Sequence, residues 1–216
     1  MDKILKNYKK FKEKKSSRWD FANNVLYRLC KENPKNNDSD KVVAKIWLIG
    51  RAYAAAIERR KIAKGGVKDF YYDVVAPKML KIGNELDKRI SKLKSTKNIE
   101  ECIPEILYTH KLLMDAFKNM TGMDKRSLAS KYLHFHCPDK FFIYDSRANT
   151  AIKKIAKALN LSKKNKIDDK LKNYDKEYAN FLYMMISFRD VLRNELKIKN
   201  ETPRSIDSFL LYSFNS

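Results

Sequence analysis

The sequence predicts an all-α protein, and three observations carry that prediction. Only five glycines and five prolines occur in 216 residues. No Asn-Gly or Asp-Gly pair is present to make a tight hairpin turn. Apolar residues recur at three- and four-residue spacing along almost the whole chain. With 44% hydrophobic residues and 12% aromatic, the chain can bury a sizeable core and is not a disordered basic tail. At this length residues 1–216 are expected to form a single all-helical domain, or two packed helical subdomains with a cleft between them.

The elements follow in order. Seven lysines between Lys3 and Lys15 mark a solvated helix or arm. Ser16 or Ser17 is a candidate cap for a helix through Cys30 that ends before Asn33-Pro34. Ser39 or Asp40 starts a long helix with Val43, Ile46, Trp47, Tyr53, Ala54 and Ile57 on its apolar face, closing near Gly65-Gly66. Gly50 and Ala54, four apart, admit a neighbouring helix. From Val67 to about Lys94 the spacing is again helical, and Pro77 predicts a break near Ala76 that leaves two shorter helices. Ile103, Ile106, Leu107, His110, Leu113, Met114, Phe117 and Met120 form the clearest buried stripe, so this helix is expected at the centre. A short helix over 125–135 leads into the Pro138 loop and the run Phe141-Phe142-Ile143-Tyr144. Asp145 or Ser146 caps a helix to about Leu159, the basic stretch Ser162–Lys172 reads as a loop, and Tyr174–Leu196 returns to helical spacing. Thr202-Pro203 opens a last helix, since proline suits the first helical position.

Charge narrows the function. Lys and Arg total 47 against 26 Asp and Glu, a formal net charge of +21, which predicts a polyanionic partner. No run approaches the ~18 apolar residues of a membrane span, and the first fifteen residues lack a signal-peptide core. A soluble cytoplasmic protein is expected, nucleoid-associated in a prokaryote. Aromatic residues dispersed through the chain favour nucleic acid over a membrane surface, which calls for one concentrated amphipathic helix. Cys30, Cys102 and Cys137 are too few and scattered for a four-cysteine metal site and are expected as reduced thiols. His134-x-His136-Cys137 has a metal-like spacing but lacks a fourth partner, so no metal and no cofactor is predicted.

The most informative passage is Lys125 to Ala148, KRSLASKYLHFHCPDKFFIYDSRA. A short helix bearing Lys131 is followed by a loop and by Asp145 at the next helix start. This order resembles the helix-hairpin-helix superfamily of base-excision DNA glycosylases, particularly its 8-oxoguanine glycosylase branch. The resemblance proper covers about 25 residues, and the all-helical architecture agrees with it. It implies a compact multi-helix glycosylase-like fold in which Lys131 and Asp145 are the catalytic pair and Arg147 contacts a DNA phosphate. The family's Gly-x-Gly hairpin is missing from Met123–Ser130, where only Gly122 lies nearby, and fourteen residues from Lys131 to Asp145 is a short separation for the family. The hairpin element is therefore degenerate, with Ser127 or Ser130 and helix-terminal amides in the phosphate-holding role.

The chemistry has its own rationale. A stacked base is out of reach, so an enzyme acting on it must flip it into a pocket. Breaking the N-glycosidic bond builds positive charge on the sugar, which a carboxylate such as Asp145 stabilises, and the same group can act as general base. Lys131, expected to be partly desolvated among Leu128, Tyr132 and Phe135, would then attack the anomeric carbon and give a Schiff base competent for strand cleavage. Tyr132, His134, Phe135, Tyr144 and Trp47 are the base-pocket candidates, although Phe141, Phe142, Tyr144, Trp47 and Tyr53 also read as core. Arg126, Arg51, Arg59 and Arg60 join Arg147, Ser127 and Ser130 as DNA-contact candidates. His110 reads as a satisfied core histidine and Asp207 as the one-turn partner of Arg204. The expected function is excision of a damaged or modified base from duplex DNA by a monomer, in repair or in defence against modified phage DNA. The alternative is a non-catalytic basic helical DNA-binding protein.

Overall fold

The computed structural model describes residues 2–13, 19–59, 68–161, 171–198 and 201–214. Among these residues the chain forms nine α-helices and no strand, so the all-α prediction holds. The helices belong to two compact units, one spanning Trp19–Phe141 and a terminal unit built from Met1–Arg18 with Phe142–Ser216.

The Trp19–Phe141 unit holds α2 (Asp20–Glu32), α3 (Ser39–Ala52), α4 (Ala76–Ser95), α5 (Ile103–Thr121) and α6 (Arg126–His136). Helix α5 is the centre the periodicity predicts. Ile106, Leu107, His110, Leu113, Met114, Phe117 and Met120 are all buried, and the helix packs between α4 and α6. Burying each of its large side chains contributes roughly 1.5–3 kcal/mol. Gly122 ends it in the left-handed region at φ 74°, where a side chain would be strained, with its N–H on the Lys118 carbonyl at 2.7 Å. At the other end Glu105 ties α5 to α4, taking Arg89 at 2.5 Å and Lys92 at 2.7 Å.

Helix α3 departs from the prediction in two ways. It ends at Ala52, well short of Gly65-Gly66, because Ala54 turns left-handed at φ 51° and the Ala55 N–H closes back on the Gly50 carbonyl at 2.7 Å. A Cβ on Gly50 would lie 3.1 Å from the Ala56 Cα, so Gly50 makes room for its own chain doubling back and not for a neighbouring helix. The buried stripe is also rotated. It runs through Val42, Lys45, Ile46 and Ile49, which leaves Trp47, expected in the core, 46% exposed.

Pro77 does not split the following segment. A π-helical turn over Tyr71–Val75 runs directly into α4, with the Ala76 N–H reaching back to the Tyr71 carbonyl. Widening that turn relieves the clash of the proline ring with the carbonyl four residues earlier and absorbs its missing donor, so one continuous helix replaces the two predicted. Helix α2 begins at Asp20 after Trp19, and no side chain caps it there. The predicted caps Ser16 and Ser17 lie outside the described residues, as does most of the predicted 162–172 loop.

In the terminal unit α7 (Ser146–Ala158) packs on α8 (Lys176–Leu196) and α9 (Pro203–Phe214), and α1 (Asp2–Lys12) lies against α9. The lysine-rich first helix is amphipathic: Tyr8 is fully buried, 4.8 Å ring to ring from Phe209. Its hydroxyl donates to the carboxylate of Glu201, which also takes Lys12 at 3.0 Å. Asp175 caps α8 by accepting the Tyr178 N–H at 2.6 Å. Arg204 pairs with Asp207 at 2.9 Å across one turn of α9, as its sequence spacing predicts.

Candidate functional site

Helix α6 carries half of the predicted site residues, and its surroundings explain its sequence. Every residue from Leu128 to His136 is buried, because α2, α3 and α5 all pack against it. A helix enclosed in this way must find partners for each polar group it carries. Lys131 is 1% exposed, and its ammonium donates to the Ser127 hydroxyl one turn earlier at 2.6 Å while lying 5.7 Å from the centre of the Tyr53 ring. Ser127 is half-buried, and its carbonyl accepts the Ser130 hydroxyl at 3.0 Å.

An aromatic cluster adjoins this amine. Phe135 packs 5.5 Å from Tyr53 and 4.8 Å from Tyr27. The Tyr53 hydroxyl donates to Asn23 at 2.7 Å. His134 bridges Tyr27 and the loop after α6: its Nδ1 lies 2.7 Å from the Phe141 carbonyl and its Nε2 2.6 Å from the Tyr27 hydroxyl. A carbonyl can only accept, so Nδ1 carries the proton, and a neutral ring then accepts the Tyr27 O–H at Nε2.

Tyr132 points elsewhere, into a buried polar network that the sequence does not advertise. Its hydroxyl donates to Asn36 Oδ1, which also receives the Lys45 ammonium at 3.1 Å. Lys45 donates further to the Asn33 and Lys35 carbonyls at 3.0 and 2.9 Å, and Asn36 in turn holds both oxygens of Asp87 through its N–H at 3.0 Å and Nδ2 at 2.6 Å. Burial draws Lys45 down to about 8, and burial likewise raises the Tyr132 phenol well above its ordinary range. The His136 ring lies tilted against Tyr132 at 4.7 Å between centroids, is buried, and has neither nitrogen in a hydrogen bond among the described residues. This network clamps the loop between α2 and α3 onto α4 and α6, a positioning role for Tyr132. His110 is buried as expected, with Nε2 3.4 Å from the Arg126 carbonyl.

Asp145 belongs to the terminal unit, where it caps α7: its Oδ1 accepts the Ala148 N–H at 2.8 Å from an extended backbone at φ −148°. Tyr144 is core in that unit. Its ring meets Phe181 at 5.1 Å, its hydroxyl donates to Glu177, and it accepts Asn149 Nδ2 at 3.1 Å. Arg147 is exposed on α7, and Lys154 and Lys157 follow it on the same solvent-facing side. Their spacing of seven and ten residues from Arg147 puts the three cations on one face of the helix.

The remaining cations are held in other ways. Arg51 is paired with Glu58, whose other oxygen takes the Tyr71 hydroxyl at 2.5 Å, so its charge is locally compensated. Arg59 is exposed, and its carbonyl receives Lys125 Nζ at 2.5 Å. Arg126 is half-buried at the start of α6, Trp47 stands on the solvent side of α3, and Arg60 lies outside the described residues. No cluster of three metal-ligating side chains occurs among the described residues. Compared with family models, curated proteins and solved structures, the chain matches none of them.

Proposed function

We propose that the chain is a DNA glycosylase that excises a modified base, with Lys131 as nucleophile. The observation that carries this reading is Lys131 itself: an amine enclosed on α6, donating to the Ser127 hydroxyl and lying over the Tyr53 ring, with Phe135 and Tyr27 beside that ring. A nucleophilic amine must give up its proton before it attacks. In the reaction the Nζ lone pair attacks the anomeric carbon while the C–N bond to the base breaks, and the base leaves with that electron pair and takes up a proton. Loss of a proton from nitrogen and opening of the sugar ring give the Schiff base. Arg147, Lys154 and Lys157 on α7 supply the phosphate contacts.

The test uses duplexes carrying a panel of modified bases, with alkali added to reveal abasic sites and borohydride to trap the imine. Base release and a trapped adduct are expected from the native protein. Lys131→Gln is expected to lose the adduct and strand cleavage with DNA affinity unchanged. A Lys131→Gln protein that still gives the trapped adduct would eliminate the mechanism.

A second reading, a non-catalytic helical DNA-binding protein, draws on the 1% exposure of Lys131 and on the structural partners of Tyr132 and Tyr144. DNA binding without base release from any duplex of the panel would favour it.

A further inference from the structure

Helix α2 is apolar on both sides. Leu26 and Cys30 face inward with Asn23, while Phe21 and Val25 face solvent one turn apart, Phe21 being 81% exposed. Trp19, at the turn that starts the helix, is 72% exposed. Arg28 continues the Phe21–Val25 stripe at the seven-residue spacing, and exposed Asn24 and Lys31 flank it. In the sequence just ahead stand Lys12, Lys14, Lys15 and Arg18.

We propose that this face of α2 is a stacking platform for single-stranded nucleic acid, with unpaired bases on Phe21 and Trp19 and backbone phosphates against Arg28 and Lys31. A chain of net charge +21 selects a polyanion as partner, and among polyanions nucleic acid brings flat π faces to meet exposed rings. Paired bases are hidden in their own stack, so the free face must come from a single strand. The apolar stripe is a single turn long and passes into Arg28, with Asn24 beside it, which is too little for a helix lying in a membrane surface. This surface needs no base release and stands independently of the glycosylase reading.

The chain has two tryptophans, Trp19 and Trp47, so Trp47→Phe leaves Trp19 as the sole indole. That protein is titrated with an oligo(dT) of about fifteen nucleotides, the upper site size for a single-strand groove. Parallel titrations use a duplex of equal length, inorganic polyphosphate, and phosphatidylserine-containing vesicles. Oligo(dT) is expected to quench Trp19 emission, and adding Phe21→Ala is expected to weaken that binding roughly 5- to 150-fold. Polyphosphate is expected to bind by charge without quenching and with equal affinity for both proteins. Oligo(dT) binding that neither quenches Trp19 nor depends on Phe21 would overturn the proposal. So would a duplex that quenches equally well, or a Phe21-dependent response confined to vesicles. Base release from a modified duplex, measured separately, decides the glycosylase reading whatever these titrations give.

Discussion

His136 is the residue whose environment is most at odds with its chemistry. Its ring is fully buried, neither nitrogen is hydrogen-bonded among the described residues, and desolvation, with Lys45 and Lys94 adding to it, holds its pKa well below 6.5. The folded protein therefore keeps a neutral imidazole where the unfolded chain would take up a proton. Stability from this group is fully present above about pH 6.5 and is lost as the pH falls below it, at up to ~1.4 kcal/mol per pH unit. His136→Phe keeps the ring against Tyr132 and removes the two unsatisfied nitrogens. It is expected to raise stability by about 1–3 kcal/mol at neutral pH and to flatten the loss between pH 6.5 and 5, both read by denaturant unfolding across that range. A destabilised His136→Phe protein would show that the imidazole makes an interaction the network depends on. Lys45 makes the opposite case. Its ammonium finds three oxygens and so sits in the buried stripe of α3.

At the level of elements, legibility followed the kind of interaction that holds each one. Helix α5 was readable because apolar burial alone fixes it, and burial leaves a periodic trace. The cap of α7 at Asp145 and the start of α9 at Pro203 were readable because local backbone chemistry decides them. The end of α3 was not, since it depends on Ala54 adopting a left-handed conformation that nothing in its side chain favours. The rotation of the α3 stripe was hidden for another reason: its key contact, Lys45 to the Asn33–Asn36 loop, is polar and involves carbonyls that leave no mark on sequence. The candidate site shares that limit. Lys131, Ser127 and Phe135 come together through helical spacing, whereas Tyr27 and Asn23 arrive from α2 and Tyr53 from the turn that ends α3. The loop clamp has a steric side too, because a Cβ on Gly83 would stand 2.1 Å from the Asn36 carbonyl oxygen. Gly83→Ala must therefore displace the backbone of that loop and is expected to cost ~2 kcal/mol or more, measured as a fall in the unfolding midpoint. An unchanged midpoint would mean that the loop yields without loss of the network.

For the whole molecule, charge sets the behaviour to look for first. With a net charge of +21, duplex affinity is expected to fall steeply with salt. Neutralising about six phosphates gives a log–log slope of roughly −5. A slope near zero would count against any nucleic-acid function, catalytic or not. Substituting Arg147 should lower affinity for all sequences alike and make the slope shallower by about one. The three free cysteines offer a different handle. Cys30, Cys102 and Cys137 are all buried and all belong to the Trp19–Phe141 unit, and burial pushes the first up to about 12 and the last up to about 11. All three sulfurs are buried, and only a thiolate that a reagent can reach is alkylated at a useful rate, so they should stay silent near neutral pH for as long as that unit is closed. The terminal unit holds no cysteine at all. Alkylation kinetics read by intact mass should accordingly work as a clock for the opening of one half of the protein, blind to what the other half does.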